Sequence, residues 1–113
     1  MTSLRFATVA AAVALLALAL AGPALAKSAR CYNSDDGYYT CNFTAVEGDG
    51  SFVVRARGYP SYTLLIDRPG FAWGYANYGG GGKNVSLPGM FVRQRDDGAC
   101  WRNPEVDFEI CAW

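Results

Sequence analysis

The sequence predicts an all-β domain, a small antiparallel β-barrel or sandwich of about seven short strands stapled by two disulfides. Three observations lead there. Short runs of β-branched and aromatic residues recur at close spacing, turn chemistry separates them, and no stretch beyond the N-terminal apolar run carries a helical period.

The chain opens Met-Thr-Ser-Leu-Arg and continues as an uncharged apolar run from Phe6 to Ala21, followed by Gly22-Pro23-Ala24-Leu25-Ala26. A cationic start, an apolar centre and a small-x-small exit make residues 1–26 a cleavable signal peptide. A membrane anchor is the competing reading, since about 20 apolar residues span a bilayer. Pro23 and the small residues at 24 and 26 favour cleavage after Ala26. Cys31 follows Lys27-Ser28-Ala29-Arg30 rather than the apolar run itself, which argues against a lipid anchor. The expected product is therefore residues 27–113, one small β domain that does not span the membrane and is periplasmic or extracellular. The Ala-rich leader points to a bacterial source, in which the Asn42-Phe43-Thr44 and Asn84-Val85-Ser86 glycosylation patterns carry no meaning.

Strand signals fill the rest. Tyr38–Thr44, Ser51–Arg57 and Ser61–Ile66 have strand length and composition, separated by Glu47-Gly48-Asp49-Gly50 and Arg57-Gly58-Tyr59-Pro60. Phe71–Tyr78, Met90–Arg95, Ala99–Arg102 and Val106–Ala112 continue the series. Asp67-Arg68-Pro69-Gly70, Asp96-Asp97-Gly98 and Asn103-Pro104 are the turns between them. Gly79-Gly80-Gly81-Gly82-Lys83-Asn84 has no preference for regular structure and predicts an exposed loop. Gly-Tyr-x-x-Tyr occurs at Gly58 and Gly74, and Asp-Asp-Gly at Asp35 and Asp96; these echoes are too short to make repeats.

Cys31, Cys41, Cys100 and Cys111 all lie after the leader, and an even count in an exported chain predicts two disulfides. Four cysteines allow three pairings, and spacing does not choose among them. A zinc site is not expected: there is no C-x-x-C pair and no histidine. Asn33-Ser34-Asp35-Asp36-Gly37 offers oxygen ligands but lacks a calcium loop's spacing and reads as a capped turn. No metal and no cofactor are implied.

The function classes narrow accordingly. Without histidine, triad and Cys-His chemistry are excluded. The carboxylates sit in turns or alternate along strands, so the chain reads as non-enzymatic. Nine basic and ten acidic residues after the leader give no basic excess for nucleic acid. Aromatic residues stand out, 15 of the 87 in the expected product. Most are expected in the core; Trp73, Tyr75 and Tyr78, next to the glycine loop, are candidates for an exposed binding platform.

Several stretches resemble the bacterial inhibitors of c-type lysozyme, the lipoprotein and periplasmic inhibitor family. Tyr39-Thr40-Cys41 is similar to that family's opening strand and Glu109-Ile110-Cys111 to its closing one. Phe91–Ala99 resembles the strand and turn bearing the family's lysine, with Arg95 at or near that position. Gly74-Tyr75-Ala76-Asn77-Tyr78 falls where the Ser-Gly-x-x-Tyr loop should be, with Gly74 or Trp73 in place of the serine. The resemblance implies a small exported barrel that plugs a glycosidase cleft, with Arg95 supplying a cation and Asn77 or Tyr78 a polar contact to the cleft carboxylates. It also implies Cys41–Cys111 and Cys31–Cys100 pairing, against the local alternative of Cys31–Cys41 and Cys100–Cys111.

The expected function is thus protein binding of the lysozyme-inhibitor kind, through Trp73–Lys83 and the neighbouring Met90–Arg95 strand. A carbohydrate-binding module using Trp73, Tyr75 and Tyr78 is the second class, and a structural envelope protein the third.

Overall fold

The computed structural model describes residues 26–79 and 81–113. The signal-peptide reading, apart from Ala26, lies outside the described residues.

Eight strands run in sequence: β1 (Lys27–Asn33), β2 (Gly37–Ala45), β3 (Phe52–Arg55), β4 (Ser61–Arg68), β5 (Phe71–Asn77), β6 (Val85–Arg93), β7 (Cys100–Asn103) and β8 (Phe108–Ala112). Each pairs antiparallel with the next, and β8 returns to pair with β1, which closes the barrel. The expectation of an all-β disulfide-stapled fold holds, with two refinements. The sheet is a closed barrel rather than a sandwich, and the described residues form eight strands rather than about seven. The additional strand is β1. Its sequence, Lys-Ser-Ala-Arg-Cys-Tyr-Asn, has little intrinsic strand propensity. It is ordered by backbone bonds to neighbours on both sides, through Ala29↔Cys41 to β2 and Tyr32↔Cys111 to β8. No helix among the described residues is long and apolar enough to cross a membrane.

Alternation along the strands fills the interior. Tyr62 and Leu64 of β4, Ala72 and Ala76 of β5, Phe91 of β6, Trp101 of β7 and Ile110 of β8 are buried in one cluster with Val54, Phe52, Tyr39 and Cys31–Cys41. An eight-stranded barrel has room for one layer of side chains. Gly74 shows how tightly that layer is packed: a Cβ there would collide with the Phe91 ring.

Three buried polar residues are structural. Asn33 accepts from the Asp35 and Asp36 N–H groups (2.9 and 2.8 Å) and donates to Asp36, closing the β1–β2 turn, so the capped-turn reading of 33–37 is what the structure contains. The Ser51 hydroxyl accepts from the Ile66 N–H at 2.8 Å, tying the β2–β3 connection to β4. Asn103 donates to the Pro88 carbonyl at 2.6 Å and accepts from the Glu105 N–H. That contact holds an irregularity in β6: pairing shifts between Trp73↔Met90 and Tyr75↔Ser86, so that Leu87-Pro88-Gly89 stand opposite the single residue Gly74. Gly89 has φ 73°, and a side chain there would strike Glu105.

The disulfides are Cys31–Cys41, linking β1 to β2, and Cys100–Cys111, linking β7 to β8. The pairing implied by the resemblance is therefore corrected to the local one. The reason is register. Cys41 lies diagonally across from Cys31 on the same inward face, while Cys100 and Cys111 are direct cross-strand partners. Cys31–Cys41 faces the core, whereas Cys100–Cys111 is covered on the outer wall beside Tyr32 and Trp113.

Candidate functional site

The meander sorts the connections to two ends. One end carries residues 46–51, 69–70 and 94–99; the other carries 34–36, 56–60, 78–79, 81–84 and 104–107. This sorting decides which predicted site residues can act together.

Trp73 and Tyr75 alternate with the inward Ala72, Gly74 and Ala76 and so stand on the outer wall of β5. Trp73 is 43 % exposed, and its indole N–H donates to Asp67 at 3.2 Å, which sets the ring's direction. Register adds residues that strand propensity did not single out. Leu65 of β4 and Met90 of β6 are the direct partners of Trp73, and Phe71 pairs with Val92 two residues toward the 69–70 turn. Partners in register share a face. The outer wall of β4–β5–β6 thus carries an apolar row, Leu65–Trp73–Met90, with Phe71–Val92 beside it. Thr63–Tyr75–Ser86 forms the more polar row on its other side.

Charge borders the apolar row at the 69–70 end. The Arg68 guanidinium lies 4.0 Å from the Phe71 ring centroid and donates to Asp67 at 2.9 Å. Arg95, exposed in the β6–β7 connection, belongs to this same end. Arg95 and Trp73 therefore lie within reach of one partner. Their neighbours in the prediction do not join them. Tyr78, 65 % exposed, follows β5 at the opposite end, on the order of 20 Å from the 69–70 turn at the rise of an extended strand, so the barrel's length lies between it and Arg95.

Asn77 is committed elsewhere. Its amide donates to the Gly82 carbonyl (3.1 Å) and the Asn84 side chain (3.4 Å) and accepts from the Gly79 N–H (2.9 Å). It therefore ties down the glycine-rich connection. A single loop presenting Asn77 or Tyr78 beside Arg95, as the resemblance implies, is not formed; Gly74–Asn77 is strand, and the barrel's length separates the polar contact from the cation.

Cys100, Glu109 and Cys111 lie close together, but the two sulfurs are bonded to each other, leaving one carboxylate. The two Gly-Tyr-x-x-Tyr echoes also part company: the first spans the β3–β4 connection with Tyr62 in the core, and the second lies in β5 with Tyr75 on the wall. No family model, no curated protein and no solved structure matches this chain.

Proposed function

We propose that the protein is an exported, non-enzymatic binding domain that docks a protein partner on the outer wall of β4–β5–β6. The observation that carries this reading is the in-register apolar row Leu65–Trp73–Met90, extended by Phe71–Val92, on the outside of the barrel, where it takes no part in the core cluster. Aromatic and Met side chains with an Arg at the border are the composition of an interface centre. The aliphatic neighbours favour a protein partner over a sugar, which would need polar groups around the ring to satisfy its hydroxyls.

The family resemblance makes c-type lysozyme the first partner to try, with Arg95 and Arg68 directed at cleft carboxylates and Trp73 as the apolar anchor. The decisive assay is lysozyme activity on bacterial cell walls with the exported protein, its Trp73→Ala variant and its Arg95→Ala variant. Inhibition that weakens about tenfold or more in either variant, and with added salt for the Arg95 contact, supports the reading. No inhibition at a large molar excess removes lysozyme as the partner.

A carbohydrate-binding reading retains one specific support: Trp73 and Tyr75 stand two residues apart on one face, with the indole held by Asp67. Glycan binding that is lost in Trp73→Ala yet indifferent to salt and to Arg95→Ala would select it over the protein partner.

A further inference from the structure

The mouth of the barrel at the 69–70 end is a cup of about 760 Å³. Its walls are apolar: Phe43, Phe52, Ile66, Trp101 and Ala112. Phe52 and Trp101 are core residues whose edges form its floor, 4 and 5 % exposed. The volume and lining fall within the range of small-molecule sites, which pair an apolar body with a few placed polar groups.

The placed group here is Arg93. It is the register partner of Trp101 and so points to the inside of the barrel, at its lip. Its Nε–H donates to the Gly98 carbonyl at 2.7 Å, and the guanidinium lies 5.8 Å from the Trp101 ring centroid. No carboxylate among the described residues forms an ion pair with Arg93.

The acids at the rim are otherwise engaged. Asp67 accepts from Arg68 and from the Trp73 indole, and the Ser51 hydroxyl, with the Ser51 N–H at 2.9 Å, holds the Asp49 carboxyl below the usual range. Lys27 adds a second cation over Phe43, 5.4 Å from the ring centroid. The lip therefore presents a positioned cation with free N–H groups above an apolar floor.

We propose that this cup binds a small amphipathic monocarboxylate, its apolar tail against Phe43, Phe52, Ile66 and Trp101 and its carboxylate on the Arg93 guanidinium. The cup adjoins the outer wall at Asp67 and Arg68, which line its rim, but its floor is separate, since Trp101 and Arg93 face inward where Trp73 and Met90 face outward.

The test uses decanoate and decanol as a pair that differs in charge and shares its tail. Binding to the exported protein is followed by calorimetry and by Trp fluorescence, with the Arg93→Gln and Ala99→Phe variants alongside and their folding checked by near-ultraviolet circular dichroism. One-to-one saturable binding of decanoate is expected, with decanol at least about tenfold weaker. Arg93→Gln should lower decanoate affinity by about tenfold or more and abolish the preference over decanol. Ala99→Phe, which fills the cup, should weaken both ligands. Absence of saturable decanoate binding, equal affinity for the two ligands, or unchanged affinity in a folded Arg93→Gln variant would overturn the proposal.

Discussion

Gly74 carries two meanings, and only one survives in three dimensions. In the resemblance it stands where a loop serine would be; in the barrel it is the inward residue of β5 across from Leu64, and the Phe91 ring occupies the space a side chain would need. Gly74→Ala therefore overpacks the core. A loss of about 1–3 kcal/mol in urea unfolding is expected, while Gly98→Ala, whose Cβ would meet Arg93 only at an ordinary contact distance, is the comparison for a change that meets no core ring.

The buried tyrosines make a second prediction at this scale. Burial pushes the Tyr39 and Tyr62 hydroxyls above the ordinary value of 10.0, because the anion is disfavoured inside the barrel. With the folded pKa above the unfolded one, their contribution to stability is complete below about pH 10 and declines as pH rises toward the folded value. Tyrosinate absorbance in an alkaline titration should show a late phase, from Tyr39 and Tyr62, that coincides with loss of the β-sheet signal.

Local crosslinks follow from hairpin register. A bond between neighbouring strands closes a short loop, and Cys31–Cys41 spans a separation of 10 residues. Replacing both cysteines with serine should cost about 3 kcal/mol by loop-closure entropy, read from the shift in urea midpoint. Trypsin distinguishes the pairing directly. No Lys or Arg lies between Cys31 and Arg55, so the local arrangement leaves Cys31 and Cys41 in one peptide with an internal bond. Cleavage at Arg102 leaves Cys100 and Cys111 in two peptides joined by the second bond. A non-reduced digest that instead joins residues 31–55 to either later peptide would refute the hairpin pairing.

At the scale of the whole barrel, closure places the functional candidates. The meander gathers Arg68, Arg93 and Arg95 at one end and sends Tyr78 and the Asn77-bound connection to the other. A partner seated on the Trp73 row at the arginine end should lose affinity with Trp73→Ala and Arg95→Ala and be indifferent to Tyr78→Ala. Arg95 lies five residues beyond Met90, the partner of Trp73, and Tyr78 five residues beyond Trp73 in the opposite direction, so a partner of ordinary interface size, about 800 Å² on each side, that engages Arg95 is seated away from Tyr78. Surface plasmon resonance of the three variants checks this, and equal losses in all three would mean a partner that wraps the barrel's length.

Much of this molecule is legible from local chemistry. Tyr62–Ile66 and Phe71–Ala76 announce themselves by aromatic and β-branched content, and Asn33–Gly37 by its turn chemistry, because those preferences act within a few residues. Likewise Trp73 and Tyr75 could be marked as surface candidates. β1 could not, since Lys-Ser-Ala-Arg-Cys-Tyr-Asn becomes a strand through backbone bonds to β2 and β8, and β8 lies at the far end of the chain. The pairing of the cysteines, the joining of Leu65 and Met90 to Trp73, the separation of Arg95 from Tyr78 and the inward turn of Arg93 over Trp101 all depend on register. Register is a property of two strands at once, so no single stretch of sequence carries it.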